Sequence, residues 1–184
     1  MDLAPQPFVL VVIAGPQASG KSATATALSS ALRGRGESVA LVELDQIAAM
    51  ALPSLPDWET AHRITEVVTG EWARSGLTCV ITEGTQSRDK IKRLLRQAPP
   101  GTPALTVVTT APFAVAFSRA QADRTRGVSR EHDFLHAVYE RWAKELTQID
   151  WDVLLDTSFL TIDESVETIL EAIDGARREH HRCH

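Results

Sequence analysis

The sequence predicts an α/β fold built on a doubly wound parallel sheet of five strands. Five short apolar runs rich in β-branched residues recur along the chain, and segments with helical periodicity separate them. The runs are apolar throughout rather than alternating, which is typical of parallel strands covered by helices on both faces. We therefore expect right-handed crossovers and a ligand site beyond the carboxyl ends of the strands. The predicted strands are Phe8–Ala14, Val39–Leu44, Leu77–Thr82, Leu105–Thr109 and Val153–Leu155.

Helices are predicted after each of these strands. Gly34 and Gly36 are suited to a left-handed cap after the first helix, and Pro112 is suited to the first turn of a later one. The last helix has Thr161 or Asp163 available as its N-cap. The predicted helices are Ser22–Leu32, Trp58–Ser75, Arg88–Gln97, Pro112–Arg124, Arg130–Ile149 and Asp163–Arg177.

Composition limits the class of protein. The chain of 184 residues has 24 acidic and 19 basic residues, a formal net charge of -5. Nucleic acids and anionic membranes are bound through basic surfaces, so this balance argues against both as partners, and the apolar run Phe8–Ala14 is too short to span a bilayer. Two cysteines, Cys79 and Cys183, cannot form a disulfide framework, so a cytoplasmic location is expected. No repeat or linker divides the chain, and a single domain over 1–184 is expected.

The first predicted strand ends in a phosphate-binding motif. Its pattern is GxxxxGK[ST], the Walker A motif or P-loop, and a chance match in a chain of this length is on the order of one in a hundred. The glycines let backbone N–H groups surround phosphates, Lys21 neutralises the β- and γ-phosphate oxygens, and the Ser22 hydroxyl binds Mg²⁺. The sequence thus predicts a site for a nucleotide such as ATP. The predicted nucleotide-binding residues here are Gly15, Gln17, Ala18, Ser19, Gly20, Lys21, Ser22 and, in the following helix, Thr24.

Carboxylates follow the second and third strands. Asp45 could orient or deprotonate an acceptor hydroxyl at the rim of the sheet that also holds the P-loop. The alternative is that Asp45 caps a following helical turn. Glu83 could hold Mg²⁺ or share the role of base with Asp45, and Gly84 permits a sharp exit close to a ligand. The alternative for Glu83 is a solvated loop position.

Arginines cluster after the fourth strand, over about 119–133. Arg119, Arg124, Arg126 and Arg130 flank a break at residues 127–129, as expected of a closing lid that brings cations to a transferring phosphoryl group. The alternative is a solvated helical face.

Polar residues also follow the fifth strand. There, Thr157 could contact the nucleotide base, or belong only to a turn before the last helix.

Together these motifs resemble the small P-loop kinases and phosphotransferases, such as shikimate kinase, gluconate kinase and chloramphenicol phosphotransferase. The resemblance implies the sheet order 2-3-1-4-5, ATP and Mg²⁺ as cofactors, an acceptor region at about 45–83, and an Arg-rich lid. By position, Arg119 and Arg124 resemble arginines of the lid and the adenine side. The third strand lacks the paired aspartates of some relatives and has Glu83 instead. The chain also lacks the Gly-Gly pair that follows this strand in shikimate kinases.

We expect the acceptor of the phosphoryl group to bind at the segment between Asp45 and Glu83. The cations of this segment are Arg63 and Arg74, whereas an acceptor that already bears a phosphate would need several arginines. We therefore expect an uncharged hydroxyl compound: a nucleoside, a sugar-like metabolite or an antibiotic. Trp58 and Trp72 could stack on its ring, or pack in the core.

The sequence thus predicts an ATP-dependent phosphotransferase. The predicted catalytic residues are Lys21, Asp45 and Arg124; the substrate-binding residues are Asp45, Trp58, Arg63, Glu83 and Gly84; and the metal ligands are Ser22 and Glu83. The alternatives are an ATP-binding switch that hydrolyses slowly without an acceptor, and a toxin with the same chemistry. ATP versus GTP, the main base and the oligomeric state stay open.

Overall fold

The centre of the molecule is a five-stranded parallel sheet in the order β2-β3-β1-β4-β5. A computed structural model describes residues 6–182. The sheet order and the five parallel strands confirm the prediction. The strands are β1 Val9–Ala14, β2 Val39–Glu43, β3 Cys79–Thr85, β4 Ala104–Thr110 and β5 Val153–Asp156.

Helices lie on both faces of the sheet, as predicted, with one addition. The six predicted helices are present with ends shifted by a few residues, and a short helix α2 directly follows β2. Its six residues are too few to show helical periodicity, so no pattern in the sequence indicates it. The helices are α1 Lys21–Gly34, α2 Leu44–Ala49, α3 Trp58–Ala73, α4 Arg88–Leu95, α5 Phe113–Ala122, α6 His132–Leu146 and α7 Ile162–Arg182, with a 3-10 turn at Gly127–Arg130.

The helix α7 shows how local sequence sets an element's start. The Thr161 hydroxyl accepts a hydrogen bond from the Glu164 N–H (3.2 Å), and the Glu164 carboxylate accepts one from the Thr161 N–H (2.8 Å). This reciprocal pair is a capping box that satisfies two backbone donors at the helix start. Thr161, one of the two predicted candidates, is therefore the N-cap.

The core has two halves, one on each face of the sheet. Alternate residues of β1 point to opposite faces, and all six are buried. On one face Val9, Val11 and Ile13 pack with residues of α1 and α7. On the other face Leu10 and Val12 pack with residues of α4 and α6. Burial on both faces is the physical reason that the strand sequence is apolar at every position.

A buried ion pair joins α7 to the edge of the sheet at which the strands begin. Arg177 donates to Glu37 at 2.7 and 2.9 Å and to the carbonyl oxygen of Pro7 at 2.9 Å. Burial disfavours the Glu37 carboxylate, but its hydrogen bonds with Arg177 hold its pKa below the ordinary value. Both charges are therefore fully partnered.

Two further predictions concern membranes and thiols. Within residues 6–182, no helix is both long enough and apolar enough to cross a membrane. Cys79 is buried in β3, and burial raises the pKa of its thiol to about 12, so it is an unreactive core residue. Cys183 lies outside the described residues.

Candidate functional site

The P-loop connects β1 to α1 through a backbone that side chains would obstruct. Gly15 and Gly20 have φ of 154° and 94°, and Ala18 has φ of 61°. A Cβ on Gly15 would lie 2.4 Å from the carbonyl oxygen of Thr109. Because α1 begins without a side-chain cap, its first-turn N–H groups are left for another acceptor. This loop and helix start form a site for a phosphate group.

The lysine of the motif is buried beneath this loop. Lys21 is 9% exposed, and its Nζ donates to the carbonyl oxygen of Pro16 at 2.9 Å. Burial lowers the pKa of Lys21, nearby Glu83 and Asp45 raise it in part, and Arg126 lowers it further. A bound anion would compensate this desolvated charge.

Glu83 lies beside the P-loop, inside strand β3 rather than in a loop. It is 2% exposed, and the Ser22 Oγ donates to its Oε1 at 3.4 Å. Burial, followed by the nearby charges of Asp45 and Glu43, raises the pKa of Glu83 to about 7 against the opposing effects of Lys21 and Ser22. The alternative of a solvated loop position is wrong because β3 continues three residues beyond its predicted end.

A close contact between β3 and α2 brings Asp45 to the side of the P-loop at which Glu83 lies. Gly84 has φ of 116°, and a Cβ there would lie 2.5 Å from the Cβ of Leu44, the first residue of α2. The side chain of Asp45, next in the helix, is exposed and lines the cleft described below. Asp45 does not cap α2, because the N-cap is Glu43. The alternative of a capping role is therefore wrong.

Two predicted residues from distant segments meet at the other side of the P-loop. Arg119 donates to the hydroxyl of Thr157 at 2.8 Å and to its carbonyl oxygen at 2.6 Å. The Thr157 hydroxyl in turn donates to the carbonyl oxygen of Ser19 at 2.8 Å. Gly20 is close as well, since a Cβ there would lie 3.3 Å from the Thr157 methyl group. The end of β5, helix α5 and the P-loop are thus fixed together.

The connecting segment 123–131, between α5 and α6, also reaches the P-loop. The Ser129 hydroxyl donates to the Gln17 side chain at 2.9 Å, and the Tyr139 hydroxyl donates to the Gln17 carbonyl oxygen at 3.1 Å. Arg126 lines the cleft, whereas the predicted Arg124 is exposed outside its lining. The arginine of the predicted cluster that lines the cleft is therefore Arg126.

Lys21, Glu83, Asp45 and Arg126 line one cleft of about 620 Å³, whereas Arg119 and Thr157 lie outside its lining. Among the predicted residues, Thr24 is fully buried in α1, and Arg63 lies outside the lining, where it donates to Thr60 at 3.3 Å. Trp58 lines the cleft and is half exposed; Trp72 is also about half exposed, so the core alternative is wrong for both. The predicted residues that line the cleft are Gln17, Ala18, Gly20, Lys21, Ser22, Asp45, Trp58, Glu83 and Gly84.

The far wall of the cleft, formed by α4 and α6, consists of residues that no sequence motif indicated. The lining residues of α6 recur at a spacing of three or four positions, which places them on one face of the helix. That pattern is visible in the sequence, but nothing local indicates that this face borders the cleft. The additional lining residues are Ala23, Leu44, His62, Gln86, Ser87, Lys90, Val138, Arg141, Trp142, Lys144 and Glu145, and Arg126 of the predicted arginine cluster completes the lining.

This wall carries charged residues that the segment 45–83 does not contain. The segment 45–83 is poor in cations, but it forms only one side of the cleft. Lys90 of α4 and both Arg141 and Lys144 of α6 line the other side. The charge of the cleft therefore differs from the charge of the segment on which the expectation depended.

Solved structures of kinases have this fold. A gluconokinase from Sinorhizobium meliloti 1021 matches with a TM-score of 0.64 at 17% identity, over 98% of this chain and 100% of that one. A shikimate kinase from Acinetobacter baumannii in complex with shikimate matches with a TM-score of 0.64 at 16% identity, over 92% and 94% of the two chains. A sugar kinase from Janibacter sp. HTCC2649 matches with a TM-score of 0.61 at 20% identity, over 94% and 98%.

At the level of sequence, no family model and no curated protein matches the chain. The similarity is therefore one of fold, and it confirms the predicted resemblance to the small P-loop kinases at that level.

Proposed function

We propose that this protein is an ATP-dependent phosphotransferase that moves the γ-phosphoryl group of ATP to a hydroxyl of a small molecule. The observation that carries the proposal is the convergence of three groups in one cleft of about 620 Å³: the buried Lys21 of the P-loop, the buried Glu83 and the exposed Asp45. A cleft of this size suits a small acceptor beside a bound nucleotide. Solved kinases with the same fold support the same class of reaction.

ATP would bind with its phosphates at the start of α1. The uncapped N–H groups of this helix and Lys21 supply the donors and the positive charge that a polyphosphate needs. The base would lie toward Arg119 and Thr157, which are joined to the P-loop by hydrogen bonds. That rigid connection would orient the nucleotide relative to the cleft.

Mg²⁺ fits the oxygen donors beside the P-loop. Ser22 and Glu83 would hold it, since their oxygens lie 3.4 Å apart at the start of α1. The described residues include no group of three or more His, Cys, Asp or Glu side chains suited to a metal ion. This fits an ion that keeps most of its ligands as water and phosphate oxygens. Bound there, Mg²⁺ would offset negative charge on the phosphate oxygens.

Phosphoryl transfer would use Asp45 as the group that accepts a proton. The acceptor oxygen forms a bond to the γ-phosphorus, the bond from that phosphorus to the β,γ-bridging oxygen breaks, and ADP leaves. The hydroxyl proton passes to the Asp45 carboxylate, which lines the cleft and is exposed to an incoming substrate. Lys21 and Arg126 would stabilise the charge on the transferring group. Arg126 replaces the predicted Arg124 in this role because it lines the cleft.

The test is a phosphorylation assay with a panel of hydroxyl compounds, ATP and Mg²⁺. We expect ATP consumption that one class of acceptor stimulates, with a product heavier by one phosphoryl group. Asp45→Asn should lower kcat for that acceptor about 100-fold or more while ADP binding is retained. Asp150→Asn, an exposed change outside the cleft, is the matched control. Hydrolysis that no acceptor stimulates would support the switch protein instead.

A further inference from the structure

We infer that Thr109 of β4 is a positioning residue for the phosphates of the nucleotide, and that it acts through the hydroxyl group of Ser19. Neither residue lines the cleft. The inference rests on the proposed function, because it names the contact that holds the P-loop in the shape that ATP would need. Thr109 lies far from the Walker A motif in the sequence, so no motif indicates this role.

The side chain of Ser19 is engaged by the protein rather than by the cleft. Within residues 17–22 of the P-loop, Ser19 is the residue that does not line the cleft, and it is fully buried. Its hydroxyl oxygen lies 2.7 Å from the hydroxyl oxygen of Thr109. Its carbonyl oxygen accepts a hydrogen bond from the Thr157 hydroxyl at 2.8 Å. Ser19 would therefore affect a nucleotide through the shape of the loop.

The pair of hydroxyl groups is enclosed and satisfied within the protein. Thr109 is fully buried, and its Oγ1 lies 3.4 Å from the carbonyl oxygen of Ala14. When Thr109 donates to that oxygen, the Ser19 hydroxyl donates to Thr109, so both hydroxyl hydrogens have an acceptor. A Cβ on Gly15 would lie 2.5 Å from Thr109 Oγ1 and 2.8 Å from Ser19 Oγ. The pair therefore fills the space directly behind the first glycine of the motif.

Ser19 lies between two residues with left-handed backbone. Ala18 has φ of 61° and Gly20 has φ of 94°. Because this conformation is unfavourable for alanine, the turn needs contacts from outside the loop to be the preferred one. The bonds of Ser19 to β4 and to the residue after β5 are such contacts. The first N–H groups of α1 follow directly, so a displaced Ser19 would move the donors proposed for the phosphates.

The first test measures nucleotide binding without phosphoryl transfer, by isothermal titration of ADP in the presence of Mg²⁺. Thr109→Val removes the hydroxyl at nearly constant shape, and we expect the Kd for ADP to rise about tenfold. Thr109→Ser keeps the hydroxyl and should bind ADP within about twofold of the wild-type protein. An unchanged Kd in Thr109→Val would overturn the inference.

The matched control for this change is Thr82→Val. Thr82 of β3 is also fully buried, but its hydroxyl has no hydrogen-bond partner among the described residues. Its replacement by valine therefore makes the same chemical change in the same sheet without breaking a hydrogen bond. We expect its Kd for ADP to equal that of the wild-type protein. A loss as large as that of Thr109→Val would assign the effect to the sheet in general and contradict the inference.

The second test separates the phosphates from the base. Inorganic pyrophosphate with Mg²⁺ is titrated in the same way as ADP. Because Ser19 belongs to the P-loop, Thr109→Val should weaken pyrophosphate and ADP by the same factor. A loss confined to ADP would place the effect on the base side, toward Arg119 and Thr157, and would contradict the inference.

The third test separates positioning from stability. Thr109→Val leaves the buried Ser19 hydroxyl without its partner, so the melting temperature should fall. Adding Ser19→Ala removes the unpaired hydroxyl, and the melting temperature should recover at least in part. The Kd for ADP should remain about tenfold weaker in this double variant, because the loop is still without its bond to β4. Recovery of ADP binding together with the melting temperature would show that the pair only stabilises the fold, and would overturn the inference.

The inference and the proposed function fail separately. In the phosphorylation assay, Thr109→Val should raise the KM for ATP about tenfold and leave the KM for the acceptor unchanged. Weaker ADP binding in Thr109→Val, with no acceptor phosphorylated by the wild-type protein, would support the inference and contradict the proposed function. Phosphorylation by the wild-type protein with an unchanged Kd for ADP in Thr109→Val would do the reverse. A wild-type protein that binds no ADP would contradict both.

Discussion

The two ends of the sheet differ in whether their buried charged and polar groups have matched partners. At the end where the strands begin, Arg177 and Glu37 are each 5% exposed and are matched by hydrogen bonds to each other. At the end where the strands finish, Lys21, Glu83 and the Trp142 indole are also buried, but Lys21 reaches only a carbonyl oxygen and the indole has no partner among the described residues. The first arrangement stabilises the fold. The second leaves the indole without a partner and Lys21 with one neutral acceptor, which costs stability and suits a site that a bound ligand would complete.

The largest expected effect is on the reaction. Lys21→Met removes the buried cation of the P-loop, and we expect kcat to fall about 1,000-fold or more because the transferring phosphoryl group would lose a positive charge proposed to stabilise it. Since burial lowers the pKa of Lys21, the ammonium is costly in the free protein, and the Met variant should unfold at the same temperature or a higher one. Steady-state kinetics and thermal unfolding check the two parts. A Met variant that lost both activity and stability would place Lys21 with the structural charges.

At the end of the sheet where the strands begin, loss of a buried charge should lower stability and leave activity unchanged. Arg177→Met leaves the Glu37 carboxylate buried without its partner, and we expect a loss of about 3–5 kcal/mol in the free energy of unfolding. Activity per folded molecule should be unchanged. In a double-mutant cycle measured by urea unfolding, adding Glu37→Gln should restore part of the loss, because the uncompensated charge is gone. No recovery would mean that packing of the guanidinium group dominates.

A glycine tests how closely the fold and the site are coupled. Gly84→Ala places a Cβ 2.5 Å from the Leu44 Cβ and so pushes α2, with Asp45, away from Glu83. We expect kcat to fall about tenfold and stability to fall by about 1–3 kcal/mol. Gly76→Ala is the matched control, because Gly76 also has a positive φ, 86°, but a Cβ there meets nothing within 4 Å. Equal effects of both changes on kcat would exclude the displacement of α2 as the cause.

The same contrast explains how much the sequence could predict. The sheet and the P-loop side of the cleft were predictable, because each depends on contiguous residues or on a strand pattern. The order of the strands came from the resemblance to the small P-loop kinases. Glu83 and Asp45 were found because the carboxyl ends of parallel strands meet at one edge. Arg119 and Thr157, predicted from separate segments, also meet beside the P-loop.

The far wall could not be predicted in the same way. Trp142 and Arg141 reach the cleft because α6 crosses it, and that depends on how the helix packs on the sheet rather than on a local pattern. The choice between Arg124 and Arg126 likewise depends on how the connecting segment folds back on Gln17. A six-residue helix such as α2 gives no periodic signal, yet it sets the position of Asp45. Long-range packing, rather than composition, decides these details.

The smallest expected effect concerns His62, which lines the cleft near Lys90, Glu59 and Arg93. Burial and, to a lesser extent, the charge of Lys90 lower the pKa of His62 to about 4 from its ordinary 6.5, while Glu59 opposes the shift and Arg93 adds to it. Between these two pKa values, His62 is protonated in the unfolded chain but neutral in the folded chain. The free energy of unfolding therefore falls as the pH drops from 6.5 to 4. His62→Gln should lower this loss by on the order of 1 kcal/mol, measured as the difference between urea unfolding at pH 7 and at pH 4.5. An unchanged pH dependence in the Gln variant would contradict this prediction. It would show that the imidazole of His62 binds a proton as readily in the folded protein as in the unfolded chain, because water reaches the side chain.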